Sequence, residues 1–179
     1  MTQSLPRAAS KSDVVRLLKS LADHGVDYVL IGGQALNIHG YMRATEDIDL
    51  LLPMDSVNGQ RVIDALCVLQ DQAAKEVDPQ WLAEEGTVRV NDEIIVDLMT
   101  VAANGETYNS LQDHIQQQEI DGFLIRVLDL AGLRRAKESV REKDAMDRRI
   151  IDIMLKEQEL ATALAKSAVK PGKPAPDST

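Results

Sequence analysis

Two aspartates, Asp47 and Asp49, stand one residue apart at the head of the apolar run DIDLLL, with Glu46 directly before them. Strand interiors usually exclude aspartate, so the pair asks for a reason. On a strand, residues i and i+2 project to the same side. Asp47 and Asp49 then point together while Ile48 and Leu50 point to the opposite, apolar face. Their Cα atoms lie roughly 6.5–7 Å apart, and carboxylates splayed from that distance can converge on hard cations. Two-metal phosphoryl-transfer sites hold their ions about 3.5–4 Å apart between such oxygens. Taken alone, the pair is better read as the solvated face of an edge strand, because Asp-x-Asp is common by chance. Asp97 adds to it, because it interrupts the strongly apolar IIVDLMT, where an unpartnered acid is expensive to bury. If that run lies beside DIDLLL, facing side chains come within about 4.5–5.5 Å at Cβ. Three carboxylates would then meet from two strands.

The second feature is Gly32-Gly33, which ends the apolar run VDYVLI and opens a short helical stretch. Glycines there let backbone N–H groups approach a polyphosphate, although most such pairs are tight turns. The sequence is neither a Walker loop nor the Gly-x-Gly-x-x-Gly dinucleotide fingerprint. Arg43 and Thr45, just before the acids, offer a cation and a hydroxyl to a phosphate, or anchor their own loop. Lys137 could reach a triphosphate, or sit on a solvated helix face. Asp144 and Asp147 are expected to pair along their helix with Arg141, Lys143 or Arg148.

The elements that must position these residues follow from periodicity. Val14, Val15, Leu18 and Leu21 have helical spacing, with Ser12 or Asp13 as the cap and Gly25 as the stop. VDYVLIGG reads as a buried strand, QALNIHG as a short helix, and DIDLLL as a second strand stopped by Pro53. A helix is expected from Ser56 to about Asp71. TVRVNDEIIVDLMT reads as a hairpin turning at Asn91-Asp92. TYNSLQDHIQQQ reads as a helix, GFLIRVLDL as a strand, and Asp129 to about Lys166 as two helices broken near Ser139. The pattern is α+β (mixed α/β): a small central mixed sheet with flanking helices and a helical C-terminus. The division expected is a disordered 1–10, a core over 11–128, a C-terminal helical element over 129–165 packed on that core, and a disordered tail over 166–179.

The 179 residues suit one compact domain, and 3% aromatics leave the core to aliphatic side chains. A net charge of −9 speaks against a broad nucleic-acid footprint, although basic residues gather between 134 and 149. The single Cys67 fits a reducing compartment, and no segment has the length of a membrane span or a signal-peptide core. A cytoplasmic location without membrane contact is expected. His24, His39 and His114 show no metal-ligand spacing, and Trp81 carries no assigned role.

Ile31-Gly32-Gly33, thirteen residues, then Asp47-Ile48-Asp49 resembles the signature of the polymerase-β-like nucleotidyltransferase superfamily. Its Gly-Gly-x-Ala and Arg-x-Thr-x-Asp-Ile-Asp form is similar to AbiEii-type bacterial nucleotidyltransferases. Lys137 followed by Arg-x-Lys-Asp-x-x-Asp also resembles their C-terminal element, so the likeness spans roughly residues 26–155. The resemblance implies the nucleotidyltransferase fold and transfer of a nucleoside monophosphate from an NTP such as ATP, with release of pyrophosphate. It implies that Asp47 and Asp49 bind two Mg²⁺ ions (Mn²⁺ as a substitute), and that Asp97 is a third ligand or the base. Gly32 and Gly33 would hold the triphosphate, with Arg43, Thr45 and Lys137 as further nucleotide contacts. The acceptor, a hydroxyl or phosphate-bearing end, could belong to RNA, a protein or a small molecule such as an antibiotic. A toxin–antitoxin or phage-defence setting fits, as does a homodimer or a partner protein. The competing reading is a non-catalytic nucleotide-binding protein of the same fold; such a chain would be expected to lose an acid, and all three are present.

Overall fold

The computed structural model describes residues 5–139 and 142–168. The expected termini therefore lie partly outside it, at residues 1–4 and 169–179, and Arg141 lies outside it as well. Among the described residues, five α-helices and six strands follow one another: α1 (Lys11–Asp23), β1 (Val29–Ile31), α2 (Gly32–Ile38), β2 (Asp47–Leu51), α3 (Ser56–Leu66), β3 (Thr87–Asn91), β4 (Ile95–Met99), β5 (Ile115–Ile120), β6 (Phe123–Leu128), α4 (Leu130–Ala136) and α5 (Glu142–Ala168). The strands form one mixed sheet in the order β3-β4-β2-β1-β6-β5. The pairs β2–β4 and β1–β6 are parallel, and the other three are antiparallel. The fold is thus a mixed α/β sheet with flanking helices and a helical C-terminus, as expected.

In-register neighbours share a face of a sheet. Val90, Val96 and Ile48 line up across three strands, and Val88, Leu98, Leu50, Leu30 and Val127 across five. This apolar face joins the buried residues of α1 (Leu17, Leu18, Leu21) and α3 (Val62, Ile63, Leu66) in one core. Each fully buried leucine contributes about 1.5–3 kcal/mol relative to an exposed one. The opposite face carries Arg89, Asp97, Asp47 and Asp49. One alternation therefore separates core from chemistry.

Several expected elements differ. The Gln-rich run after His114 is β5, not a helix, because Asp121-Gly122 forms a two-residue turn with both φ values positive (48° and 86°). That turn geometry folds Ile115–Ile120 back onto β6. α3 ends at Leu66 rather than Asp71. The buried Asp92 carboxylate accepts hydrogen bonds from the N–H groups of Asp71 and Ala73, 2.8 and 2.9 Å away, and draws that stretch off the helix path. The β3–β4 hairpin pivots on Glu93 rather than Asn91-Asp92, since Asn91 pairs with Ile95.

The cap of α1 is Ser10, in a reciprocal box with Asp13, rather than Ser12 or Asp13. Arg7, within the stretch expected to be disordered, places both terminal nitrogens on Asp13, at 2.6 and 2.9 Å. Gly25 follows the helix with φ +62°, as its role of helix stop requires. The Arg7 hydrogen bonds, with help from Ser10, hold the Asp13 carboxyl far below the ordinary range despite its burial. A depressed folded-state pKa gives stability that is present above the unfolded value, about 3.9, and lost as pH falls below it. Asp13→Ala should therefore cost about 1–2 kcal/mol at pH 7. The gap to wild type in urea midpoint should close as the pH is lowered from about 4; a gap that is constant with pH would show that the carboxylate charge plays no part.

Candidate functional site

The site begins with register. Asp49 of β2 lies directly across from Asp97 of the parallel β4, and Asp97 lies across from Arg89 of β3. Asp47, two residues before Asp49, points to the same side. One oxygen from each of Asp47, Asp49 and Asp97 lies within 4.8 Å of the others. Three hard carboxylate oxygens at such spacing could hold a divalent cation, with Mg²⁺ and Mn²⁺ matched to that donor chemistry.

Gly32 is what admits Asp49. A Cβ on Gly32 would sit 1.9 Å from Asp49 Oδ2 and 2.7 Å from its Cγ, and the backbone there has φ +68°. Gly33 plays the same part for Thr45, whose Oγ1 and Cβ would lie 2.8 and 2.9 Å from an added Cβ. Thr45 Oγ1 in turn lies 3.3 Å from both the backbone oxygen and Oδ1 of Asp47, orienting that acid. The glycine pair thus makes room for the residues that set the acids.

The residue that sequence reasoning missed is Arg89. Its guanidinium forks onto Asp97, with Nε 2.8 Å from Oδ1 and Nη2 2.6 Å from Oδ2, and reaches Asp47 Oδ2 at 3.5 Å. Asp97 is the principal reason the guanidinium pKa is raised, with smaller contributions from the charges of Asp47 and Asp49. Its side chain is 53% exposed, so it can swing toward solvent. A signal existed in the alternation Val88-Arg89-Val90, which points Arg89 away from the core. Turning the hairpin at Asn91-Asp92 hid its pairing with Asp97.

The trio opens into a cleft of about 470 Å³ whose lining includes Gly32, Thr87, Arg89, Lys137 and Asp144. Gly33, Arg43 and Thr45 are not among its lining residues; Arg43 and Thr45 line a separate cavity of about 690 Å³ with Gln34, Met42 and Gln118. Lys137 caps the end of α4 and sits between two buried acids of α5, 3.1 Å from Asp144 Oδ1 and 2.8 Å from Asp147 Oδ2. Arg43 pairs with the other oxygen of Asp147. The expectation that Asp147 pairs along its own helix is therefore corrected: it faces inward, 2% exposed, and takes cations from the β2 loop and α4. Asp144 faces inward onto Lys137 and Ser139, and the side chains of its expected partners Arg141 and Lys143 lie outside the described residues. Arg148 instead donates to the carbonyl oxygens of Lys137 and Ser139. Among the histidines, His39 Nε2 lies 2.7 Å from the Leu128 carbonyl oxygen and His114 lies 3.1 Å from Asp129, both away from the trio.

No protein-family model matches the chain, and no curated protein matches it. Among the solved structures similar to it are two nucleotidyltransferase-like proteins. A candidate nucleotidyltransferase of Thermotoga maritima shares 16% identity over 89% of this chain and 97% of its own, with a TM-score of 0.49. An antigenic nucleotidyltransferase-like protein of Paracoccidioides brasiliensis shares 18% identity over 91% of this chain and 89% of its own, with a TM-score of 0.49. Among the described residues, no helix is long and apolar enough to cross a membrane.

Two outcomes follow from this geometry. Gly32→Ala should destabilise the fold by about 1–3 kcal/mol, because φ must stay positive while Asp49 is displaced; an unchanged chemical-denaturation midpoint would contradict the close approach. Arg89→Gln leaves three carboxylates facing one another. In chelator its thermal midpoint should fall below wild type, and Mn²⁺ should raise it by more than it raises wild type. An equal response to Mn²⁺ would mean that Arg89 does not compete with a cation for the acids.

Proposed function

We propose that the chain is a metal-dependent nucleotidyltransferase acting in the 470 Å³ cleft. The observation that carries this reading is the convergence of Asp47, Asp49 and Asp97 from two in-register parallel strands beside a cleft lined by Gly32 and Lys137. The donor set suits hard divalent cations, and Asp47, Asp49 and Asp97 would hold them. Such ions, when bound, neutralise phosphate charge and align the attacking and leaving oxygens.

The remaining work falls to the chain. Gly32, without a side chain, leaves Asp49 its place at the cleft wall, and Lys137 supplies positive charge that a triphosphate can share with Asp144 and Asp147. An acceptor hydroxyl oxygen forms a bond to the α-phosphorus, and the α–β bridging bond breaks. Pyrophosphate departs with the electron pair. Asp97 either takes the hydroxyl proton or completes the cation site. In both roles Arg89 must first release it. Arg43 and Thr45 act behind the acids: Thr45 aims Asp47, and Arg43 ties the loop to α5. The resemblance described above supports an RNA or protein acceptor in a toxin–antitoxin or phage-defence setting, with a small-molecule acceptor as the alternative.

One observation favours a second reading. Arg89 already satisfies both oxygens of Asp97, as a non-catalytic nucleotide-binding protein would allow. The two readings separate in one experiment. The protein is incubated with Mg²⁺ and each α-³²P-labelled NTP, offering total tRNA, cell lysate and the protein itself as acceptors. Transfer of label should occur to one acceptor class and fall at least 100-fold in Asp49→Asn, roughly the loss of about 2.7 kcal/mol of transition-state stabilisation. Asp49→Asn should meanwhile fold as well as wild type, since it relieves repulsion. Binding of nucleotide without any transfer would establish the second reading instead.

A further inference from the structure

The helix α5 carries two apolar faces, and among the described residues only one is packed. Its inner face, from Asp144 through Asp147 and the fully buried Ile151 to Leu155, packs on the body. From Lys156 to Ser167 every residue is exposed. On the far side run Met146, Ile150, Ile153, Leu160 and Leu164. The spacing is four, three, then four across each half, broken only by Glu157 at the middle position. At 3.6 residues per turn these positions fall within an arc of about 80° whose centre lies about 140° round the helix from Ile151. Met146, Ile153, Leu160 and Leu164 are between 57% and 70% exposed. A straight seam of this kind is the pattern by which two helices interlock side chains.

We infer that this seam is a self-association surface, and that two copies of the chain pair through α5 in antiparallel orientation. The charge pattern names the occupant and the direction. The chain carries −9 overall, yet Lys156 to Ser167 holds two lysines (Lys156, Lys166) and two glutamates (Glu157, Glu159), so this segment of one copy does not repel that of another. Antiparallel pairing centred between Lys156 and Glu157 sets Ile153 opposite Leu160, and Ile150 opposite Ala163 with Leu164 one residue away. It also brings each Glu157 beside the Lys156 of the second copy. A parallel pair would instead stack Glu157 on Glu157 inside the seam, a like-charge contact. The surface lies on the side of α5 away from the body, so pairing leaves the acid cleft and its chemistry untouched.

The test is the solution mass of the full chain by sedimentation equilibrium. The expected mass is about twice the monomer's 19.7 kDa, returning to that of the monomer in Leu160→Glu/Leu164→Glu. Both substituted positions are exposed, so the variant should keep the circular dichroism and thermal midpoint of the body. Orientation is read by mild oxidation in a Cys67→Ser background. Ile153→Cys mixed with Leu160→Cys should form a disulfide-linked dimer, while Ile153→Cys alone should not. A monomer at 200 µM, roughly the range of weak pairings, would overturn the proposal. So would a dimer indifferent to Leu160→Glu/Leu164→Glu, or one that cross-links through Ile153→Cys alone.

Discussion

Three carboxylates held face to face by two strands are the constraint that organises this molecule. At the 4.8 Å limit of their separation, each pair of negative charges repels by roughly 3 kcal/mol at an effective dielectric of 20. Backbone register enforces the approach: Asp49 cannot leave Asp97 without the β2–β4 ladder slipping. A one-residue slip would carry both acids to the core face and Ile48 and Leu50 to solvent. The same alternation that builds the core therefore locks the charges together. Positive charge must answer them, and Arg89, placed by the next strand, answers Asp97 and reaches Asp47.

A second circle of charge lies around the first. Arg43, in the loop leading to the acids, and Lys137, at the end of α4, share Asp147 of α5, and Asp144 holds Lys137 from beside it. All of these side chains are largely removed from water. Breaking one partner of such a pair leaves an uncompensated buried charge, which is costly, even where the intact pair adds little net stability. The arrangement specifies position more than it adds stability. It fixes the loop whose Thr45 aims Asp47, and it brings an ammonium group to the cleft at a defined height. The C-terminal helices thus form part of the wall of the site.

Much of this was legible in the amino-acid order, and the reasons for the rest are local. Asp47 and Asp49 were readable because a period of two is built into any strand, and Asp97 because burial makes a lone acid conspicuous. Arg89 was not, since its meaning depends on hairpin register, and register turns on a bend at Glu93 that no residue preference marks strongly. The glycines were read as space for a ligand's phosphates. In the fold they are first space for Asp49 and Thr45, a fact only packing can reveal. β5 was mistaken for a helix because glutamine tolerates helices well, whereas the Asp121-Gly122 turn that decides the matter acts across the hairpin. Asp147 looked like a surface partner of its own helix; which side of α5 faces inward is settled by α4 and the β2 loop, far away in sequence.

The order of the strands has a consequence for the chain during its synthesis. β1 and β2, with Gly32, Asp47 and Asp49, leave the ribosome early, yet β1 must wait for β6 on its free edge. Arg43 must wait longer still, for Asp147, more than a hundred residues later. An incomplete nascent chain carries two strand acids with neither the sheet closed nor the loop anchored. The cleft is finished only when α5 docks, so the site cannot assemble before Asp144 and Asp147 have been made.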